Sequence, residues 1–235
     1  MSLPTLFISH GSPMLAIADS PAHRFLLDLG KTLPRQKAII VVSAHWGAMG
    51  GFAVSLASHP ETIHDFGGFP EALFDIQYPA PGTPDTASRA AESLEQAGFA
   101  VKRSATQGLD HGAWVPLSLM YPDADIPTAQ VSLRRGATPA EHEQMGRALR
   151  QLREDDVLII GSGSLTHNLY AYRGASMDAE VPSWVSDWLF TGLLHEGWDG
   201  RRTRNRVFTW VCEDSGKETK WGRPSRRGFS AMRAK

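Results

Sequence analysis

The stretch Thr5-Leu-Phe-Ile-Ser-His10-Gly-Ser-Pro13 decides how the chain is read. A run of β-forming residues ends in an imidazole, and Gly11 and Pro13 then turn the backbone, which predicts a short strand with His10 at its tip. The pattern returns at Ala38-Ile-Ile-Val-Val-Ser-Ala44-His45-Trp46 and at Val157-Leu-Ile-Ile-Gly-Ser-Gly-Ser-Leu-Thr166-His167. Three strands therefore each deliver a histidine near their C-terminal ends. In parallel α/β sheets ligands gather outside the carboxyl ends of the strands, because the loops leaving that edge converge on one crevice. Three imidazoles placed there suggest a metal site.

Working outward, Pro21 to Gly30 reads as a helix, with proline near its start and Gly30 at its end. Lys37 to Ala44 is almost continuously apolar, as expected of a strand covered on both faces. Phe52 to Leu56 is a further strand. The stretches Ile63 to Pro70 and Tyr78 to Gly82 are too rich in Gly, Pro and aromatics for regular structure, and are expected to form an ordered wall or lid over a pocket. Pro84 to Ala97 reads as a helix stopped by Gly98, and Phe99 to Arg103 as a strand. Gly108 to Trp114 reads as an interruption before a short helix from Val115 to Pro122. Pro127 to Leu133 is a strand, Thr138 opens a helix through a capping box with Glu141, and Asp156 to Ser162 is the last strong strand. His23 and His142, each in a first helical turn, are expected to face solvent. The alternation of strands and helices predicts an α/β layered fold.

The 235 residues suit one domain with a sizeable core, and the formal net charge of −1 gives no argument for a nucleic-acid or membrane partner. A single cysteine, Cys212, excludes an internal disulfide framework and a cysteine-based zinc site. No basic leader and no apolar run of about 20 residues is present, so a cytoplasmic protein is expected. The near-zero charge conceals an asymmetry: 195–235 holds eleven Lys/Arg against five Asp/Glu, and the preceding body thirteen against twenty. The sequence is accordingly divided into a domain at 1–194 and an atypical basic segment at 195–235. No stacking platform or nucleic-acid motif accompanies the basic runs.

His10, His45, His111 and His167 all lie in Gly- or Ser-bearing turns beside aromatic residues. Imidazole suits Fe, Zn, Cu and Ni, and three protein ligands with open positions make a catalytic rather than a structural site. Strand-end capping by hydrogen bonds is the competing reading, above all for His111. Nucleophilic catalysis by Ser164 or Ser12 activated by His167 ranks lower, because Gly161-Ser-Gly-Ser-Leu lacks the G-x-S-x-G spacing.

Six motifs then carry a resemblance. Phe7-Ile-Ser-His10-Gly-Ser-Pro-Met14, Val42-Ser-Ala-His45-Trp46, Ile63-His-Asp-Phe-Gly-Gly-Phe-Pro70, Leu109-Asp-His111-Gly-Ala-Trp114, Tyr121-Pro-Asp-Ala-Asp-Ile-Pro127 and Gly163-Ser-Leu-Thr-His167-Asn-Leu169 occur in the same order in the 4,5-DOPA dioxygenase extradiol family. The chain resembles that family, within the class III extradiol ring-cleavage dioxygenases, from Leu3 to Leu194. The resemblance implies a layered mixed sheet flanked by helices, a divalent metal, Fe(II) or Zn(II), at one sheet edge, and a catechol-type aromatic substrate cleaved with dioxygen. His10 and His45 match metal-ligand positions. His167 matches a position that serves as ligand in zinc-bound members and as acid/base in related iron enzymes, and His111 matches the pocket histidine that contacts substrate or oxygen. His111 and His167 are thus the implied catalytic pair, and His10, His45 and His167 the implied metal set. Phe66, Phe69, Trp46 and Trp114 are candidates for an apolar wall, with core packing the alternative for each.

The resemblance stops at the tail. Family members continue into an Asn/His-Pro-Thr-x-Glu-His signature that supplies another ligand and a last strand, and nothing in 195–235 matches it. A frame difference in this segment would account for the mismatch. The expectation is the family fold with a weakened metal site. An inactive or zinc-bound homologue that binds an aromatic ligand without ring cleavage is the alternative reading.

Overall fold

A computed structural model describes residues 3–164 of the chain. The elements alternate: β1 (Thr5–Ser9), α1 (Pro21–Thr32), β2 (Ala38–Ala48), β3 (Phe52–Ser55), α2 (Pro84–Gln96), β4 (Val101–Ser104), α3 (His111–Met120), β5 (Thr128–Arg134), α4 (Pro139–Leu149) and β6 (Val157–Gly163). Among the described residues the strands form one six-stranded sheet in the order β1-β6-β2-β5-β3-β4. The pairs β1–β6, β6–β2, β2–β5 and β3–β4 are parallel, while β3 meets β5 antiparallel. This is the layered mixed sheet expected from the sequence.

Alternation along β2 builds two cores. Ile39 and Val41 face α1 and α3 on one side of the sheet, and Ile40 and Val42 face α2 and α4 on the other. All four are buried, which is why the strand carries no polar face. Helix α3 is hydrophobic all round, and its residues other than Ser118 are buried.

Three local expectations are corrected. Helix α1 runs past Gly30 to Thr32, and Gly30 is there for packing: a Cβ would lie 1.9 Å from the Met120 carbonyl oxygen at the end of α3. Helix α3 begins at His111 rather than Val115, with Asp110 at its N-cap. Gly112, which fell in the expected interruption, lies within the helix, and it serves a close contact with Ser43. His23 and His142 do not simply face water. The His23 ring meets the Leu15 carbonyl at 2.8 Å, and His142 packs edge-on to Phe52, ring centroids 5.9 Å apart.

Gly98 does stop α2, with φ of +89°, and the Thr138–Glu141 capping box opens α4. Among the described residues no helix is long and apolar enough to cross a membrane. His167, Cys212 and the whole of 195–235 lie outside the described residues.

Candidate metal centre

The parallel strands β1, β6 and β2 run side by side, so their carboxyl ends share one edge of the sheet. His10 follows β1 directly, its backbone N–H donating to the Gly163 carbonyl at the end of β6. His45 reaches the same edge by a bulge. The β2–β5 register passes from Ser43↔Ser132 to Gly47↔Leu133, so Ala44, His45 and Trp46 stand outside the ladder. A bulge re-aims side chains next to a site without breaking the flanking pairing. His111 arrives from the opposite direction, as the first residue of α3.

Residues far apart in sequence thus meet. The Nε2 atoms of His10 and His45 are 3.0 Å apart. One ring nitrogen from each of His10, His45 and His111 lies within 4.8 Å of the others. The His45 and His111 ring centroids are 3.8 Å apart. His10 and His111 are buried, whereas His45 opens toward solvent.

Hydrogen bonds determine which nitrogens carry protons. Ser162 Oγ donates its single proton to the Gly112 carbonyl at 2.5 Å, so at 2.8 Å from His10 Nδ1 it acts as acceptor. His10 is therefore protonated at Nδ1 and carries its lone pair at Nε2. Pro116 makes this arrangement available. In an α-helix the N–H of residue 116 would bond to the carbonyl of residue 112, but proline has none, and the Gly112 oxygen is left for Ser162.

Asp65 does the corresponding work for His111. Its Oδ1 accepts from both Nδ1 (2.8 Å) and the backbone N–H (3.0 Å) of His111, while Oδ2 lies 3.6 Å from His45 Nδ1. Burial pushes the Asp65 carboxyl up, but the two hydrogen bonds and the attraction of the His111 ring outweigh it and hold the group at about 2. An ionised Asp65 requires a proton on His111 Nδ1.

Beneath the imidazoles lies a buried polar network. Ser43 Oγ donates to Asp110 Oδ1 (2.6 Å) and accepts from the His45 backbone N–H (3.2 Å), and Gln130 Nε2 donates to Asp110 Oδ2 (2.8 Å). Gly112 must be glycine here, since a Cβ would lie 2.5 Å from Ser43 Oγ and 3.1 Å from His45 Cδ2.

This geometry fits a cation. Two lone pairs facing one another at 3.0 Å repel, so the His10–His45 pair requires a proton or a positive ion between the rings. Two nitrogens bound to one ion at about 2.1 Å and subtending a right angle stand about 3.0 Å apart. Each supporting partner bonds the far side of a ring, the usual way a ligating histidine is oriented.

The loop from Ile63 to Pro70 forms a wall, as its composition suggested. Phe66 meets His111 edge-on at 5.6 Å and touches Phe69 and Phe74 at 5.4 and 5.1 Å. Trp114 is fully buried and donates its indole N–H to the Ile63 carbonyl, which anchors the loop from below. Ser12 caps the 3-10 turn Pro13–Ala16 through the Met14 N–H. Sequence reasoning assigned no role to Asp65, Ser162, Ser43 or Asp110. The one available signal was Asp65 beside a histidine in the motif Ile63-His-Asp-Phe.

The layered mixed sheet flanked by helices is a class III extradiol dioxygenase-like fold. The chain belongs to the family described as the catalytic LigB subunit of aromatic ring-opening dioxygenase, which matches residues 4–202. It is 47% identical over 214 residues to the 4,5-DOPA dioxygenase extradiol of Escherichia coli K12, covering 91% of this chain and 78% of that one. It is also 47% identical over 202 residues to the 4,5-DOPA dioxygenase extradiol of Beta vulgaris, covering 83% and 74%. The crystal structure of an uncharacterized protein from Escherichia coli K12 superposes with a TM-score of 0.67 at 35% identity, covering 84% of this chain and 74% of that one.

Proposed function

We propose that this chain is a metal-dependent extradiol dioxygenase that opens the ring of a catecholic substrate with dioxygen in the cytoplasm. The observation that carries the reading is the 3.0 Å approach of His10 Nε2 to His45 Nε2, with a His111 nitrogen in the same space. In the net reaction the carbon–carbon bond beside the diol breaks and both atoms of dioxygen enter the product, a muconate-semialdehyde-type compound.

His10 and His45 would hold the metal, Fe(II) for turnover, with His167 as a further ligand or as the acid/base. The chemistry such an ion supplies when bound is Lewis acidity toward the catechol oxygens and a path for electron density from ring to dioxygen. Ser162 and Asp65 keep the Nδ1 protons of His10 and His111 in place, so neither ring has to change tautomer during the reaction. His111, buried beside Phe66 with its Nδ1 proton held by Asp65, stabilises negative charge developing on oxygen when its Nε2 also carries a proton, and His167 accepts the substrate hydroxyl proton on a ring nitrogen. Phe66 and Phe69 exclude water and offer an apolar face to the ring.

A second reading, favoured by the place of His111 within the three-imidazole cluster, makes His111 the third metal ligand. The test is an oxygen electrode with anaerobically iron-loaded protein and a panel of small catechols. Uptake of one dioxygen per catechol, with a new semialdehyde absorbance, is the expected result. Catechol binding without oxygen uptake would overturn the dioxygenase and leave a homologue that only binds an aromatic ligand.

A further inference from the structure

Asp65 reaches two imidazoles and a helix terminus at once. Helix α3 has Asp110 at its N-cap, yet the Asp110 side chain makes no capping hydrogen bond. Asp65, 46 positions away in sequence, accepts the His111 backbone N–H instead. The same Oδ1 takes the His111 Nδ1 proton, and the other oxygen is turned toward His45 Nδ1. One carboxylate thus spans the outer sides of two imidazoles.

Its place is set by backbone rather than by the histidines. The preceding residues are tied to the segment before α3 by an isolated bridge between Thr62 and Leu109, and by reciprocal backbone bonds, Ile63 N–H to Leu109 C=O and Leu109 N–H to Glu61 C=O, both 2.8 Å. Gly108 allows this approach, since a Cβ there would lie 2.2 Å from the Glu61 carbonyl oxygen. The Trp114 indole fixes Ile63 from beneath. The carboxylate therefore stands in position whether or not anything binds beside it.

We propose that Asp65 is a positioning residue for the metal centre: it locks His111 in the Nδ1-protonated form, steadies His45 from its outer side, and so presents the remaining nitrogens of both rings as lone pairs to one cation. The inference rests on the second reading above, in which His111 joins His10 and His45 as a ligand of the metal. A purely structural role, as surrogate cap of α3, is separable from it. The side chain introduced by Asp65→Asn would still offer a carbonyl oxygen to the His111 N–H while losing the charge that holds the Nδ1 proton.

The experiment compares full-length wild type with Asp65→Asn and Asp65→Glu by zinc titration, by imidazole nitrogen NMR of the metal-free and zinc-loaded protein, and by thermal melting. In Asp65→Asn the melting temperature of the metal-free protein is expected to stay near wild type, while zinc affinity falls about 10- to 100-fold and His111 becomes a mixture of tautomers. Asp65→Glu, which keeps the charge, recovers part of the affinity. Zinc affinity in Asp65→Asn within about twofold of wild type, or a His111 that remains wholly Nδ1-protonated, would overturn the proposal. None of these readouts requires turnover. A wild type that binds zinc, yet consumes no oxygen with catechols when loaded with iron, removes the dioxygenase reading and leaves this one standing.

Discussion

Pro116 and Ser162 are linked through a single carbonyl: the helix position that cannot donate to Gly112 O leaves that oxygen to the hydroxyl that sets the tautomer of His10. A proline inside α3 thereby acts on a ring at the far end of the polypeptide. The general cost of an interior proline is about 3 kcal/mol, and here part of it is offset because the freed acceptor finds another donor.

Ser162→Ala should release both ends of this link. The Gly112 carbonyl is left buried without its hydroxyl donor, which costs about 1–3 kcal/mol. His10 Nδ1 loses its acceptor, and zinc affinity should fall about 10- to 100-fold. Denaturant melts and a competitive chelator titration check the two effects separately.

His45→Ala and His111→Ala should behave differently. Loss of His45 removes a nitrogen 3.0 Å from that of His10 and should abolish stoichiometric metal binding. If His111 serves substrate and oxygen, His111→Ala keeps the metal and lowers kcat about 100-fold or more. Metal loss in both variants would instead assign His111 as the third ligand. Metal content after dialysis, set beside oxygen uptake, decides between them.

Gly112→Ala places a methyl group 2.5 Å from Ser43 Oγ and 3.1 Å from His45 Cδ2. Ser43 is buried and held by Asp110, so it cannot withdraw freely. A loss of about 1–3 kcal/mol in stability is expected, together with weaker metal binding as His45 is pushed aside. Urea denaturation and metal titration of the same preparation test this.

Alkaline pH should unfold the protein through two phenols. Burial pushes Tyr121 up to about 12, against an opposing hydrogen bond from Gln36, and burial raises the Tyr78 phenol as well. The Tyr78 hydroxyl donates to the Tyr121 carbonyl at 3.1 Å. Above the ordinary value of 10.0 the unfolded chain sheds these protons while the folded chain keeps them. The folded state then binds more protons than the unfolded one, so stability is complete below pH 10 and falls as pH rises toward 12. A phenolate absorbance titration should show a late phase coincident with loss of circular dichroism, and Tyr121→Phe should reduce its amplitude.

Zinc should raise the melting temperature, because the three imidazoles come together only in the folded chain. At a free concentration about 100 times Kd the gain is about 2.7 kcal/mol. A chelator should reverse the shift completely. No shift at saturating zinc would remove the metal centre.

The strands and their termini were legible because apolar β-formers ending in polar turns leave a signal within a few residues. His10 and His45 were legible for the same reason. The start of helix α3 was misplaced because a helix buried on every side has no amphipathic period, because Gly112 reads as an interruption, and because Pro116 suits a first helical turn. Gly30 was misread similarly, since the Met120 carbonyl that demands it is distant in sequence. Ser162 meets His10 across 152 positions and Asp65 meets His111 across 46, and no local pattern announces either contact.

The bulge that carries His45 sets that residue between two rungs of the register of β2 with β5. The Ser43–Ser132 and Gly47–Leu133 pairs close on either side of the three surplus residues, so a change of side chain at His45 should leave both pairings intact. The ladder and the side chain displayed beside it thus answer to different residues.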